Sequence, residues 1–443
     1  MDFSGYRFCI NTDDYHIDKT GTEDVTSSIQ SLIDFASKEK KILRINPGIY
    51  LISPLFLNSG SQLILDPGCT LKGRVDESKY KCINTRIAGI EMEGYPGLIN
   101  IINCRNVIIS GQGTIDGSGP YWWNKYWGED HISGYRGRYD KSGLRWAADY
   151  DCLRPKNILV SDSSGVSLSG LTSFNSGFWN IHILYSHNVN LYRINIDSKG
   201  ADSPSTDGID IDSSFDVLVE NCITSCNDDS ICIKSGRDYD GYIVNRPSYN
   251  IEIKNCLIKS GFGITIGSEV SGGVHDVYIS DITFDSSSCG FRIKSSEPRR
   301  GYIKDIHISK LKMKNVSYLF NMCLDWNPSY CYCDLPQGYK GEIPTHYSKL
   351  LKRIPDSVKK TQVSNIDISD VTSDFTEDYQ GISRCFQIEG YADVPISSIS
   401  FTDLRIHCKE KGIIKNASAV TFRNCDIEFD GPNNPLYDSF DNR

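Results

Sequence analysis

Ten short runs in this chain share one template: apolar, any, apolar, any, a polar or turn-forming residue, apolar. They read "VIISGQ" (107–112), "VSLSGL" (166–171), "VNLYRI" (189–194), "VLVENC" (217–222), "IEIKNC" (251–256), "VYISDI" (277–282), "IHISKL" (306–311), "IDISDV" (366–371), "ISFTDL" (399–404) and "VTFRNC" (420–425). From residue 166 their start-to-start intervals are 23, 28, 34, 26, 29, 60, 33 and 21. Period-two alternation ended by a turn residue is a half-buried strand. One such strand cannot bury its face alone, whereas a stack of similar units can. Asn at the turn tolerates the left-handed conformation and can ladder with its neighbours above and below. An antiparallel sandwich would repeat strands at shorter and less uniform intervals. The pattern therefore predicts an all-β chain, a right-handed parallel β-helix, taken as a single domain over 1–443. The interval of 60 is either two coils or one coil with a long loop, and "CYCDLPQGYKGEIPTHYSK" reads as the loop.

The N-terminal part departs from the repeat. "VTSSIQSLIDFASKE" places Val25, Ile29, Leu32, Ile33 and Ala36 on one helical face. A short helix within about 20–40 would cap the open end of the stack, whose unpaired backbone is otherwise a pairing hazard. Long loops are expected over about 118–155, 236–250 and 327–360, the first too long and aromatic for a plain turn.

The composition fits a folded, core-forming chain. Of 443 residues, 39% are hydrophobic and 23% charged. The net charge of −9 argues against a nucleic-acid partner. No apolar run reaches the length of a membrane span. The sixteen Cys are even in number, but Cys104, Cys222, Cys256 and Cys425 each follow an Asn at the same repeat position. That placement indicates buried free thiols rather than a bridge framework. Cys323, Cys331 and Cys333 could form a local bridge or bind metal. No basic-then-apolar leader opens the chain, which leaves a cytosolic protein or one whose leader was removed.

The carboxylates carry the chemistry. "GADSPSTDGIDI" (200–211) and "NDDSICIKSG" (227–236) are rich in Asp. Asp207 and Asp228 lie about one coil apart, so Asp207, Asp228 and Asp229 are expected on one flank of the stack at the strand spacing. Arg292 and Lys294 fall two coils further on and share a strand face. Asp210 and Asp212 alternate with Ile209 and Ile211 and are expected on a solvated strand face. Two chemistries suit such a cluster. Inverting glycoside hydrolysis needs one carboxylic acid and one carboxylate on opposite sides of the sugar bond. Ca²⁺ binding, as in a pectate-lyase-like β-helix, needs clustered oxygens. A non-catalytic carbohydrate-binding β-helix is a third reading.

"STDG" (205–208), "NDDSICIKSG", "GFG" (261–263) and "RIK" (292–294), in this order, resemble the N-T-D, D-D, G-H-G and R-I-K motifs of the polygalacturonase family of glycoside hydrolases, family 28. The resemblance covers roughly residues 20–430. It implies metal-independent, cofactor-free hydrolysis of galacturonic-acid-containing pectin with inversion. Asp228 would be the general acid, Asp207 and Asp229 would hold and deprotonate water, and Arg292 and Lys294 would bind the sugar carboxylate. Two positions depart from the family: Ser205 replaces Asn, and Phe262 replaces His. The second puts plain polygalacturonate in doubt and points to rhamnogalacturonan or an unusual galacturonate linkage. The segment 236–250 looks like the longer loops of exo-acting members. Phe262, able to pack or stack, and Trp326 are expected to contact substrate. Trp122, Trp123 and Trp127 could stack on sugars or fasten loops, and Arg237, Glu269, Arg299 and Arg300 are further candidates. A monomer, secreted or periplasmic, acting on a pectic substrate is the expectation.

Overall fold

The structure is a computed structural model that describes residues 8–430, apart from residue 201. The chain winds into a right-handed parallel β-helix. Each central coil contributes one strand to an eleven-stranded parallel sheet and further strands to a second, larger parallel surface. The coil holding Ile209–Asp212 continues through Phe215–Glu220 and Ile223–Ser225 before Ile231–Lys234 begins the next. The eleven-stranded sheet matters most for function. Its central rungs are Ile181–Leu184, Ile209–Asp212, Ile231–Lys234, Ile264–Ile266 and Cys289–Lys294, each paired in parallel with the next.

Alternation fixes which side chains enter the core. Ile209, Ile211, Ile231, Ile233, Ile264, Ile266, Phe291 and Ile293 point inward and are almost fully buried. Each such side chain contributes roughly 1.5–3 kcal/mol by leaving water. The residue at the fifth template position turns the chain in all ten runs. It has positive φ whether it is Gly111, Gly170, Asn221, Asn255, Asn424, Asp281, Asp370 or Asp403, and also where it is Arg193 or Lys310. Neighbouring turn residues bond along the stack, as where Asn424 donates to Asp403. The 60-residue interval is one coil with a long loop, since Ile306 pairs directly with Ile366.

Helix Thr26–Lys38 buries Ile29, Leu32, Ile33 and Ala36 against the first coils, with Val25 beside them. The long segments are not plain loops. Helices Gly119–Trp127, Tyr135–Lys141 and Ala148–Asp151 occupy the first, Asp238–Val244 the second, and Pro328–Cys331 and Thr345–Leu351 the third. An antiparallel hairpin, Ile83–Ile87 with Ile90–Gly94, joins them. Its two-residue turn, Ala88–Gly89, has positive φ at both positions, the geometry that matches strand twist in tight hairpins. Ile87, Ile90, Trp146, Tyr150, Trp179, Tyr347 and Leu350 form a separate apolar cluster within this cover.

The cover overturns one expectation. Asp210 and Asp212 do point away from the coil interior, but they are fully buried, not solvated. Arg86 of the hairpin reaches Asp212 at 2.7 Å and Ser213 at 2.8 Å, pinning the hairpin to the sheet. All sixteen Cys are free thiols, and Cys331 and Cys333 are buried with no bridge between them.

Candidate active site

The outward face of the central rungs forms the floor of a chamber. One register row runs Asp210, Cys232, Thr265 and Arg292, and a second carries Asp212 and Lys234. Asp207 and Asp229 stand at the corners just before their strands. The amide of Gly208 donates to the Asp229 carbonyl at 2.9 Å, so the coil repeat sets Asp229, rather than Asp228, next to Asp207. One oxygen of each comes within 4.8 Å of the other and of the Cys232 sulfur. Asp228 follows the bend, its Oδ1 accepting the Asp229 amide at 2.9 Å. All three carboxylates line one cavity.

Their environments differ. Asp229 accepts from Lys294 Nζ at 2.6 Å and Thr265 Oγ1 at 2.8 Å, and Arg292 Nη1 lies 3.6 Å away. Burial would raise its pKa, but Lys294, Arg292 and Lys234 hold it down to about 2. Burial and the neighbouring Asp229 charge push Asp228 up. Burial, then Asp210 and Asp228, push Asp207 well up against the pull of Lys234. Crowded carboxylates cannot all ionise, and the cations decide which one does.

Residues 70–331 match the sequence profile of Glycosyl hydrolases family 28. The chain belongs to that family. A probable polygalacturonase of Vitis vinifera is 28% identical over 398 residues, covering 88% of this chain and 72% of the relative. An endo-polygalacturonase of Pectobacterium parmentieri is 27% identical over 313 residues, 68% of this chain and 71% of that protein. Among solved structures, a hyperthermoactive exopolygalacturonase of Thermotoga maritima superposes with TM-score 0.76 and 25% identity, covering 95% of this chain and 91% of that one. A family 28 exopolygalacturonase of Yersinia enterocolitica shares the fold at TM-score 0.74 and 20% identity, over 96% and 77% of the two chains. The chain is thus a glycoside hydrolase.

In this family 28 hydrolase the remaining sequence candidates separate cleanly. Lys294 and the half-buried Trp326 line the chamber, with the ammonium 4.4 Å from the ring centroid. Arg292 lies over Phe262 at 4.8 Å and Trp326 at 5.6 Å, so the residue in the family's His position packs beneath a guanidinium. Glu269 also lines the chamber, and Lys234 and Arg299 hold it down to about 2 despite burial. Arg237 is a buried brace, donating to Tyr150 Oη at 2.8 Å and the Tyr330 carbonyl at 2.7 Å. Arg299 is buried near Glu269 and Asp238, and Arg300 ties the Val358 carbonyl. Trp122, Trp123 and Trp127 fasten loops. Trp122 is fully buried, Trp123 Nε1 donates to the Ser176 carbonyl at 2.9 Å, and Trp127 Nε1 donates to the Asp202 carbonyl at 2.8 Å.

Several chamber residues had not been singled out from sequence. Lys234 sits within 3.5 Å of Asp207, Asp210 and Glu269, and two positions from Cys232 it shares that residue's outward face. Arg145 and Asp149 come from the long aromatic loop, Phe178 and Trp179 from a coil corner, and Ala88 from the hairpin turn. The turn closes one side tightly. A Cβ on Gly89 would fall 2.6 Å from both Arg237 Cβ and Glu269 Cγ, so only Gly fits.

Proposed function

We propose that this hydrolase cleaves galacturonate-containing pectic oligosaccharides from a chain end, with inversion. The observation that carries the reading is the trio of carboxylates in a chamber walled on one side by the docked Ala88–Gly89 turn. Asp228, biased toward its protonated form, gives its proton to the glycosidic oxygen as the bond to the anomeric carbon breaks. Asp229, held ionised, takes a proton from the water that attacks that carbon from the other side. Asp207, biased toward protonation, orients the water. Arg292 and Lys294 draw the sugar carboxylate to the floor.

Phe262 is half-buried beneath the Arg292 guanidinium, 4.8 Å from ring centroid to cation, so its identity bears on the posture of Arg292. The alternative of a Ca²⁺-dependent lyase fits the donors poorly. The ammonium groups of Lys234 and Lys294 already stand against Asp207 and Asp229, and the Cys232 thiol that joins the two carboxylates is unsuited to a hard cation.

The test is a time course on oligogalacturonides of defined length, with product masses and the anomeric form of the released sugar. One monosaccharide from the first minutes, saturated and formed in chelator, is expected. A ladder of sizes would refute chain-end action, and an unsaturated product would refute hydrolysis.

A further inference from the structure

The chamber carries the same charge arrangement twice. On the floor, Arg292 and Lys294 share the single carboxylate of Asp229, at 3.6 and 2.6 Å. In the cover, Arg145 and Arg154 share the single carboxylate of Asp149, at 3.3 and 2.8 Å. Each trio holds two cations for one anion. Arg154 is closed off from the chamber: it is buried, donates to the Pro204 carbonyl at 2.7 Å, and lies over Tyr126 and Phe178 at 4.4 and 4.7 Å. Arg145 is not. It spends Nη1 on Asp149, rests over the Tyr330 ring at 5.1 Å, and keeps 17% of its side chain exposed in the chamber wall. Among the described residues, its other N–H groups have no protein acceptor. Lys234 offers no comparable surplus, since Asp207, Asp210 and Glu269 surround it at 3.4, 3.5 and 3.3 Å.

A guanidinium left with free donors in a recess shielded from water favours a planar anion. We propose that Arg145 determines specificity by binding the carboxylate of a second uronic acid, across the scissile bond from the one drawn to Arg292 and Lys294. The inference rests on the hydrolase reading above and deepens it. The preferred substrate then carries a carboxylate on both sugars flanking the bond, and a neutral sugar at the Arg145 position leaves that cation unpaired.

The experiment compares kcat/KM for digalacturonate with the two disaccharides in which one or the other carboxyl is reduced to the alcohol. The unmodified protein is expected to lose roughly 10- to 100-fold on either reduced substrate, the scale of one charged hydrogen bond. Arg145→Gln should lose a similar factor on digalacturonate, become indifferent to one reduction and remain sensitive to the other. Arg145→Lys should recover part of the loss. If the unmodified protein is indifferent to one of the reductions, or Arg145→Gln stays sensitive to both, Arg145 does not read a carboxylate. Should the Gln variant not fold, Arg145→Lys decides, because an unchanged kcat/KM and unchanged sensitivity there overturn the proposal. Release of no sugar from any oligogalacturonide by the unmodified protein sinks the hydrolase reading itself, and Arg145 with it.

Discussion

Replacing Lys294 by Met should move the acid limb of the pH–rate profile. Asp229 is buried, which alone would favour its neutral form, yet it is held down to about 2 from an ordinary 3.8. At 1.36 kcal/mol per pH unit, that depression corresponds to roughly 2 kcal/mol of preference for the carboxylate. Lys294, at 2.6 Å, is the foremost of the cations responsible, ahead of Arg292 at 3.6 Å. Its loss should return at least about one pH unit. The assay is kcat/KM for sugar release from one oligogalacturonide, followed from pH 8 down through pH 2 in both proteins, so that titration of the substrate cancels. The limb should shift upward in the variant, with a higher KM because Lys294 also faces the chamber. Folding depresses this pKa, so the associated stabilisation is present above about pH 4 and is lost as pH falls toward 2. A limb that stays in place while kcat/KM drops equally at every pH would refute the assignment of Asp229 as the ionised base.

Three further outcomes are expected. Asp210 has neither carboxylate oxygen hydrogen-bonded, and burial raises its pKa to about 8, so the stability it supports below pH 4 is lost as pH rises toward 8. Asp210→Asn should therefore leave Tm unchanged near pH 4 and raise it increasingly toward pH 8; a gain of equal size at both ends would contradict this. Lys310 holds a left-handed turn at φ 55 with its side chain 60% exposed, so Lys310→Asn should raise the urea midpoint by the equivalent of about 1 kcal/mol. A thiol reagent should modify exposed Cys9 and Cys82 quickly in the native protein and the buried thiols only after denaturation.

The coil was legible because its template repeats on a scale at which backbone physics dominates. Alternation buried the Ile positions, and the fifth residue turned the chain in every run, even as Lys or Arg. The acids were legible because coil spacing alone brings 207, 228 and 229 to one flank. What escaped was the cover. Alternation with Ile209 and Ile211 points Asp210 and Asp212 away from the core, but the expected solvated face is buried, and no local signal announces that a hairpin more than a hundred residues upstream covers it. "INTRIAGIEMEG" alternates around its turn, yet Ala-Gly is a weaker hairpin signal than Asn-Gly. Arg145 sits in a segment whose length and aromatic content marked it as functional, while its own role depends on sharing Asp149 with Arg154, a relation visible only in three dimensions.

In the mechanism proposed above, adjacent coils assemble Asp207, Asp228 and Asp229 into one hydrolytic centre. Its most direct test is kcat on an oligogalacturonide for the three single Asn variants, with Tm measured alongside. Each should fall by a factor on the order of 10²–10⁴ while the protein stays folded. Any one of them turning over at near the unmodified rate would remove that carboxylate from the hydrolytic centre.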